Sequence, residues 1–201
     1  MTKPDRGPRE RMVFSAAQLI RRHGVTATGV RDIVAHARAP RGSVQHYFPG
    51  GKEQLVNEAV EWAGCYAASR VDRFLARMSP PTPSKLFAAM VGQWVEELQA
   101  EDFGPGCPVA AATIDCADTV ESTRAVTAAA FAAWRKPVTQ ALIEMGVPAR
   151  RAVSLATLMI SSLEGAILIA KAEHDVRALR TVARELRPLL DSAAAAEPLP
   201  S

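Results

Sequence analysis

Residues 27–55 of the chain read ATGVRDIVAHARAPRGSVQHYFPGGKEQL. Apolar residues spaced by three and four predict one short helix over 30–37 and, after a tight turn, a second over 40–47. Pro40 suits the first turn of a helix, where its missing N–H removes no hydrogen bond. Phe48-Pro-Gly-Gly51 then ends the second helix. Two short helices joined so tightly are typical of a helix-turn-helix unit.

The residues before this unit predict the helix that completes it. Apolar residues recur at helical spacing over 9–23, on one face formed by Val13, Ala16, Ala17 and Ile20. Gly24 follows them as a C-cap residue would. Three helices, the last two tightly joined, predict a helix-turn-helix DNA-binding domain over residues 1–51.

The second short helix has the side chains that base recognition requires. Apolar residues must hold such a helix on its scaffold, and Ala39 and Val44 can do so while polar residues face the major groove. Arg41 can make a bidentate contact with guanine, and Gln45 can make one with adenine. The polar side chains available to read the bases are Arg41, Ser43, Gln45 and His46.

Positive charge is concentrated at the same end of the chain. Residues 1–60 hold ten Lys and Arg against five acids, a net charge of +5. The remaining residues hold 14 basic and 16 acidic groups, a net charge of −2, in agreement with +3 for the whole chain. A basic segment is expected where a protein meets a polyanion, although an uneven solvated surface would have the same charge pattern.

Composition places the chain among soluble helical proteins. Of 201 residues, 48% are hydrophobic and 22% charged, an ordinary globular balance. Aromatic residues make up only 5%, and alanine recurs with Leu, Arg and Glu, which favour helices. The predicted fold is therefore all-α. The N-terminus lacks the apolar segment of a secretory signal, so a cytoplasmic protein is expected.

The sequence predicts neither catalysis nor a cofactor. The three cysteines, Cys65, Cys107 and Cys116, include no Cys-x-x-Cys pair, which indicates incidental thiols in a reducing cytoplasm and no metal site. Cys107 is expected to be the most exposed of them. The chain also contains no Gly-x-Ser-x-Gly, P-loop, Gly-x-Gly-x-x-Gly or His-Glu-x-x-His motif.

Helical spacing continues over residues 52–191, which we interpret as a second domain, followed by an Ala/Pro-rich tail over 192–201 that is predicted to be disordered. A helix over 52–78 is long enough to connect two subdomains, at a rise of about 1.5 Å per residue. Proline and glycine segments separate it from helices predicted over 84–100, 109–115, 119–145, 149–172 and 176–190.

The helix predicted over 149–172 is the most apolar of the chain. Ser161, Ser162 and Glu164 interrupt it, and a carboxylate in mid-span is costly in lipid, so a membrane span is not expected. Small residues such as Gly165 permit close approach of another helix. The helix is interpreted as buried, either in the core of its own domain or between two subunits.

Four segments of the chain resemble a known family. Residues 27–34 (ATGVRDIV), 39–44 (APRGSV) and 46–55 (HYFPGGKEQL) are similar to the N-terminal domain of the TetR family of transcriptional repressors. Residues 106–111 (GCPVAA) resemble its LmrA/YxaF-like branch. The resemblance implies a homodimer joined through its last two helices. It also implies that a small apolar effector in the C-terminal domain releases the protein from a palindromic operator in double-stranded DNA.

The chain departs from the family at two positions. Gln45 stands where the family usually has Tyr, which indicates a hydrogen bond to a base or phosphate. Arg38 stands where the turn usually has Gly, which predicts strain because Gly tolerates positive φ better. Lys52 opposes the dipole at the start of its helix, and either a phosphate contact or a chance surface position would account for it. The residues predicted to contact DNA are Thr28, Arg31, Arg38, Pro40, Arg41, Gly42, Ser43, Gln45, His46, Tyr47 and Lys52.

An effector pocket is predicted from large apolar side chains on helices that would surround a cavity, since ligand pockets are mainly apolar with a few polar groups. The same side chains would also suit an ordinary core. Asp115 and Gln93 are candidate polar anchors. The residues predicted to line the pocket are Trp62, Tyr66, Met90, Trp94, Thr113, Phe131 and Trp134, and Met145 lies on the same set of helices.

A helical adaptor that binds proteins through apolar faces is the alternative function. Salt distinguishes the two functions, because DNA binding releases counterions and weakens steeply as salt rises. Binding through apolar burial should respond little.

Overall fold

The computed structural model of the chain describes residues 7–40 and 42–195. These residues form helices and no strand, so the predicted all-α fold is confirmed. The helices are α1 (Pro8–His23), α2 (Val30–His36), α3 (Ser43–Tyr47), α4 (Gly51–Leu75), α5 (Pro83–Ala100), α6 (Pro108–Cys116), α7 (Glu121–Glu144), α8 (Ala149–Glu173) and α9 (Arg177–Ala195).

The chain divides into two compact units. The first comprises the described part of residues 1–65 together with 107–131, and the second comprises 66–106 with the described part of 132–201. The chain passes from one unit to the other within α4, between Gly106 and Cys107, and within α7. By packing, α6 thus belongs to the same unit as the helix-turn-helix. The division into a DNA-binding domain over 1–51 and a second domain over 52–191 stays a prediction.

In the first unit, α1 packs against both α2 and α6. Its predicted apolar face is confirmed, because Val13, Ala16, Ala17 and Ile20 are all buried. The helix ends at Gly24, whose φ of 79° and ψ of 175° belong to a region that only glycine adopts readily. The chain can therefore leave α1 sharply toward α2.

In the second unit, α5 packs against α8 and α9, which also pack against each other. α5 begins where Thr82 acts as its N-cap, with the Thr82 hydroxyl accepting a hydrogen bond from the Lys85 N–H at 3.3 Å. Leu86 and Phe87 on α5 are completely buried. They belong to the core of this unit.

α8 has two apolar sides. Ten of its residues are buried, among them Leu155, Met159 and Leu163, and they form its packing face. By length and composition alone α8 could span a membrane, with a mean hydropathy of 1.8 over its most apolar window, of which 50% is buried inside the protein. A side chain on the opposite face, Leu168, remains 51% exposed. That face is available for a further contact.

Three details differ from the sequence-based expectations. α3 begins at Ser43 and not at Pro40. α9 continues to Ala195, so residues 192–195 of the predicted disordered tail are helical, and residues 196–201 lie outside the described residues. The expectation for Cys107 is wrong: it is 8% exposed, because it lies at the buried start of α6, and Cys65 is the exposed cysteine.

Candidate DNA-binding site

The turn that leaves α2 is a Schellman motif. The Arg38 N–H donates to the Ala35 carbonyl at 3.1 Å, and the Ala39 N–H donates to the Val34 carbonyl at 3.0 Å. These bonds require a left-handed residue between them, and Arg38 has a φ of 49°. The prediction that this position needs positive φ is confirmed. Arg38 occupies a conformation that glycine adopts at lower energy.

The start of α3 is set by a second left-handed residue. Gly42 has a φ of 87° and is the N-cap of α3, and the Ser43 N–H donates to the Pro40 carbonyl at 3.1 Å. A residue at this φ cannot continue a right-handed helix, which is why Pro40 and Gly42 precede α3. Arg41, which the sequence assigns to guanine recognition, lies outside the described residues.

The side chains of α3 divide into a buried and an exposed face. Val44 is buried at 8% exposure, and Ser43, predicted to read bases, is nearly as buried at 9%. Gln45 and His46 are exposed, and the His46 ring lies edge-on to Tyr47 with centroids 4.6 Å apart. Val44 thus holds the helix as predicted, and Gln45 and His46 point away from the core.

Further exposed residues of the predicted DNA-binding set lie just outside α3. Arg31 on α2 is exposed, as are Arg38, Pro40 and Gly42 in the segment between α2 and α3. Their contact with DNA stays a prediction. Tyr47 is half-buried at the end of α3.

The Thr28 side chain, one of those predicted to contact DNA, is buried, and its contact with DNA stays a prediction. Thr28 is 1% exposed, and its hydroxyl donates to the Gly24 carbonyl at 2.6 Å, so it shapes the turn between α1 and α2. Lys52 likewise has a protein partner, because its Nζ donates to the Val25 carbonyl at 2.8 Å. An ammonium group has two further donors, so a phosphate contact by Lys52 stays a prediction.

Asp115 has a role that the sequence does not reveal. Sequence reasoning suggests a polar anchor for an effector, but the Asp115 Oδ2 accepts hydrogen bonds from the N–H groups of Val25 at 2.7 Å and Thr26 at 3.2 Å. Asp115 and Val25 are 90 residues apart in the sequence. No periodicity within α6 could have indicated that partner, because helical spacing reports only on one helix.

The thiol of Cys116, beside this carboxylate, has a raised pKa. Burial, and then the charge of Asp115, raise the pKa of Cys116, while the charge of Lys52 lowers it. A raised pKa keeps the thiol protonated and unreactive at neutral pH. Across residues 7–40 and 42–195, no three His, Cys, Asp or Glu side chains are grouped closely enough to hold a metal ion.

The residues predicted to line an effector pocket lie in both units. In the first unit, Trp62 packs edge-on against Phe14 of α1 with ring centroids 5.4 Å apart. Thr113 donates to the Val109 carbonyl at 2.8 Å, and Phe131 is half-buried. Trp62 and Thr113 thus have partners within the unit, as ordinary core residues do. A ligand contact by any of them stays a prediction.

In the second unit, Met90, Trp94 and Trp134 are buried, whereas Tyr66 is 39% exposed and accepts a hydrogen bond from Arg70 at 2.7 Å. A groove of about 500 Å³ in this unit is lined by Met145 together with residues such as Lys85 and Arg187. Met145 belongs to the side chains expected around a cavity, and the other residues predicted to line a pocket do not line this groove. Gln93, the other candidate anchor, donates to Glu97 at 2.6 Å.

Family models match both parts of the chain. Residues 15–59 match that of the bacterial regulatory proteins of the tetR family, and residues 83–185 match that of the C-terminal domain of LmrA/YxaF-like transcriptional regulators. The chain is 42% identical to an uncharacterised HTH-type transcriptional regulator of Mycobacterium tuberculosis, over 92% of this chain and 94% of that protein. It is 28% identical to the HTH-type transcriptional regulator LmrA of Bacillus subtilis, over 80% and 85% respectively.

Solved structures share the fold. A TetR transcriptional regulator from Legionella pneumophila superimposes with a TM-score of 0.80 at 20% identity, covering 94% of this chain and 100% of that one. The reduced form of Escherichia coli NemR gives a TM-score of 0.76 at 19% identity, over 94% and 100%. At these identities the similarity concerns the order and packing of the helices.

Proposed function

We propose that this chain, which belongs to the TetR family of bacterial transcriptional regulators, represses transcription from a palindromic operator until a small apolar effector releases it. The observation that supports DNA recognition most directly is the exposure of Gln45 and His46 on α3, opposite the buried Val44. A short helix anchored on one side and polar on the other fits the major groove.

Base recognition by this helix depends on few side chains. A Gln amide can bond an adenine bidentately, and we assign that role to Gln45. Arg41 is assigned to guanine from the sequence, while Arg31 and Arg38 supply exposed positive charge for the phosphates. Phosphate contacts set affinity, and Gln45 and Arg41 set sequence preference.

A homodimer is expected to present two copies of α3. Two recognition helices address half-sites about 34–36 Å apart, one turn of DNA. Val153, Leu168 and Ile169 on α8 are 56%, 51% and 49% exposed, which supports a contact of α8 with a second copy, while α9 enters the proposal through the resemblance to the family. Exposed large apolar side chains are typical of subunit interfaces.

Release by an effector requires a difference in affinity between two conformations of the dimer. We propose that an apolar molecule bound in the C-terminal domain favours the conformation whose recognition helices do not match the half-site spacing. The buried Met90, Trp94 and Trp134 are apolar side chains suited to such a ligand. The protein would act in the cytoplasm, where bacterial DNA lies.

Salt-dependent binding to DNA tests the proposal. A duplex selected by the protein from a randomised library is titrated by fluorescence anisotropy at several salt concentrations. Six to ten phosphate contacts predict a loss of roughly 10³–10⁵ in affinity between about 50 and 200 mM salt. Selection of a palindrome would support a dimer with two equivalent half-sites.

The alternative function, a helical adaptor for proteins, predicts a different result. Its binding would depend on apolar burial, so salt would change the affinity little. Failure to enrich any duplex at low salt would contradict the proposed function and favour the adaptor.

A further inference from the structure

The turn between α1 and α2, residues 24–29, is held from outside by α6. The carboxylate of Asp115 accepts hydrogen bonds from two consecutive backbone N–H groups of this turn, those of Val25 at 2.7 Å and Thr26 at 3.2 Å. Hydrogen bonds to an ionised acceptor are about twice as strong as neutral ones. One side chain of α6 therefore fixes two successive peptide units.

The sequence of the turn allows this close approach. A Cβ atom on residue 24 would lie 2.5 Å from Oδ2 of Asp115, and Gly24 has none. The Val25 carbonyl is held at the same time by Lys52 of α4, at 2.8 Å. Both polar groups of the Val25 backbone are thus bound by side chains from other helices, an acid for the N–H and a base for the carbonyl.

The turn determines where α2 begins. Thr28 closes it by donating to Gly24, and Gly29 caps α2 immediately afterward. The other end of α2 is tied to α1, because Arg11 Nε donates to the Ala37 carbonyl at 3.1 Å. α2 is therefore held at its end by α1, and the turn that precedes it is held by α6. Since α3 follows α2 through one tight turn, the direction of α2 sets the direction of α3.

The segment that contains Asp115 is itself firmly attached within the first unit. At the start of α7, Ser122 donates to Glu53 at 2.5 Å and accepts from Asn57 at 2.9 Å, while Thr123 donates to Asn57 at 2.8 Å. Glu53 and Asn57 lie in the first half of α4. Residues 107–131 are thereby joined to α4 by side-chain hydrogen bonds and to the turn by Asp115.

We propose that Asp115 is a positioning residue for DNA recognition: it sets the orientation of α2 and α3 through the backbone of Val25 and Thr26. This inference rests on the proposed function, since a recognition helix must have DNA to recognise. It also gives α6 an effect on the operator preference, because a displacement of α6 relative to α1 would move the turn that leads into α2.

The test compares three variants in the full-length protein. Asp115→Ala removes both hydrogen bonds, Asp115→Asn keeps a neutral oxygen acceptor, and Asp118→Ala is the control. Asp118 is exposed three residues later and, within the described part of the chain, makes no hydrogen bond or ion pair. Asp115→Ala and Asp118→Ala remove the same charge, so any electrostatic gain in DNA affinity is matched between them.

Each variant is titrated against two duplexes, a palindrome selected by the wild-type protein and a duplex of the same length and composition with shuffled half-sites. The measured quantity is the ratio of the two dissociation constants. Asp115→Ala is expected to lower affinity for the palindrome about tenfold, as the loss of one charge-assisted hydrogen bond would. Affinity for the shuffled duplex should stay near that of Asp118→Ala, because non-specific binding depends on charge and not on helix orientation.

The conservative variant and the melting temperature complete the test. Asp115→Asn should recover most of the ratio, since its oxygen can still accept from Val25. Equal ratios for Asp115→Ala and Asp118→Ala would overturn the positioning role. An equal loss on both duplexes, with a lowered melting temperature, would also overturn it, because mere destabilisation reduces the active fraction for any DNA. A wild-type protein that prefers neither duplex would refute the proposed function and with it this inference.

Discussion

Replacing Arg38 by glycine is expected to stabilise the protein while weakening its attraction to DNA. Arg38 has a φ of 49° in the Schellman motif that ends α2. A left-handed conformation costs a non-glycine residue about 1–2 kcal/mol. Glycine gains about 0.4–1 kcal/mol of unfolded-state entropy, which offsets part of that relief. The net stabilisation is about 0.5–1 kcal/mol, equivalent to a rise of about 2 °C in the melting temperature for a chain of this size.

The matched control is Arg38→Ala, which removes the same charge but keeps a side chain in the strained conformation. Thermal unfolding at fixed protein concentration should therefore rank Arg38→Gly above both Arg38→Ala and wild type. The Arg38 side chain is exposed beside α3, so both variants should reduce the slope of log affinity against log salt by about 0.9 for each phosphate that Arg38 neutralises in the wild type. A melting temperature for Arg38→Gly no higher than that of Arg38→Ala would refute the claim of backbone strain.

Three further changes test other parts of the molecule. Gln45→Ala should weaken operator binding by about 1–3 kcal/mol and relax the preference at one base position. The control Gln99→Ala, at an exposed position in the second unit, should leave operator binding unchanged. Equal weakening on all duplexes would mean that Gln45 contacts the DNA backbone and not a base. Gly64→Ala should lower the free energy of unfolding by about 1–3 kcal/mol in chemical denaturation, because the added Cβ would lie 2.7 Å from the Cβ of Ala130. Its control, Gly92→Ala, has no atom within 4 Å of the added group and should stabilise α5 by up to about 1 kcal/mol. A change of the same sign in the unfolding free energy of both variants would contradict the close approach of α4 and α7. Hydrogen bonds from the Arg177 backbone and side chain lower the pKa of Asp175, just before α9. The contribution of Asp175 to stability is therefore present above its unfolded-state pKa and is lost as pH falls through its folded-state pKa. Asp175→Asn should flatten that part of a plot of melting temperature against pH, and an unchanged plot would show that Asp175 does not contribute to the loss of stability in acid.

Local patterns in the sequence were sufficient for the helices and for the DNA-binding element. Apolar spacing, together with Gly24, Pro83 and Pro148 as residues that end or begin helices, predicts α1, α5 and α8 to within one residue at each end. The resemblance to the family, and not local spacing, indicates that Arg38 stands in a glycine position. Local patterns failed at α3, where Pro40 suggested a helix start and the left-handed Gly42 moves that start to Ser43. A proline shows only that a helix can begin at its position, whereas a residue with positive φ prevents a right-handed helix from continuing through it.

The contacts that complete the DNA-binding unit lay beyond such patterns, because they join distant segments. Helical spacing shows that a residue lies on a given face of α6, but it does not show that the turn between α1 and α2 lies opposite that face. Asp115 therefore suggested a ligand anchor, since a lone carboxylate among apolar residues suits a pocket as well as a backbone turn. The same ambiguity applies to Trp62, which pairs with Phe14 of α1 within the first unit. Side chains that suit a cavity equally suit a helix contact, and only coordinates distinguish them.

A boundary drawn at residue 51 keeps all the residues predicted to contact DNA except Lys52 in one domain, yet it cuts through the contacts that hold them. The N–H groups of Val25 and Thr26 depend on an acceptor in α6, and the Val25 carbonyl depends on a donor at the start of α4. A helix-turn-helix needs a fixed direction for α3 as much as it needs Gln45, because a bidentate contact fails when its donor and acceptor are rotated away from the base. Asp115 lies nine residues after Gly106, where the chain leaves the second unit, and its carboxylate is the α6 group that holds the turn between α1 and α2. The residues that choose the bases and those that set the direction of α3 are therefore different sets, and mutations should separate them: the first set changes which sequence is preferred, and the second changes how strongly any preferred sequence is distinguished.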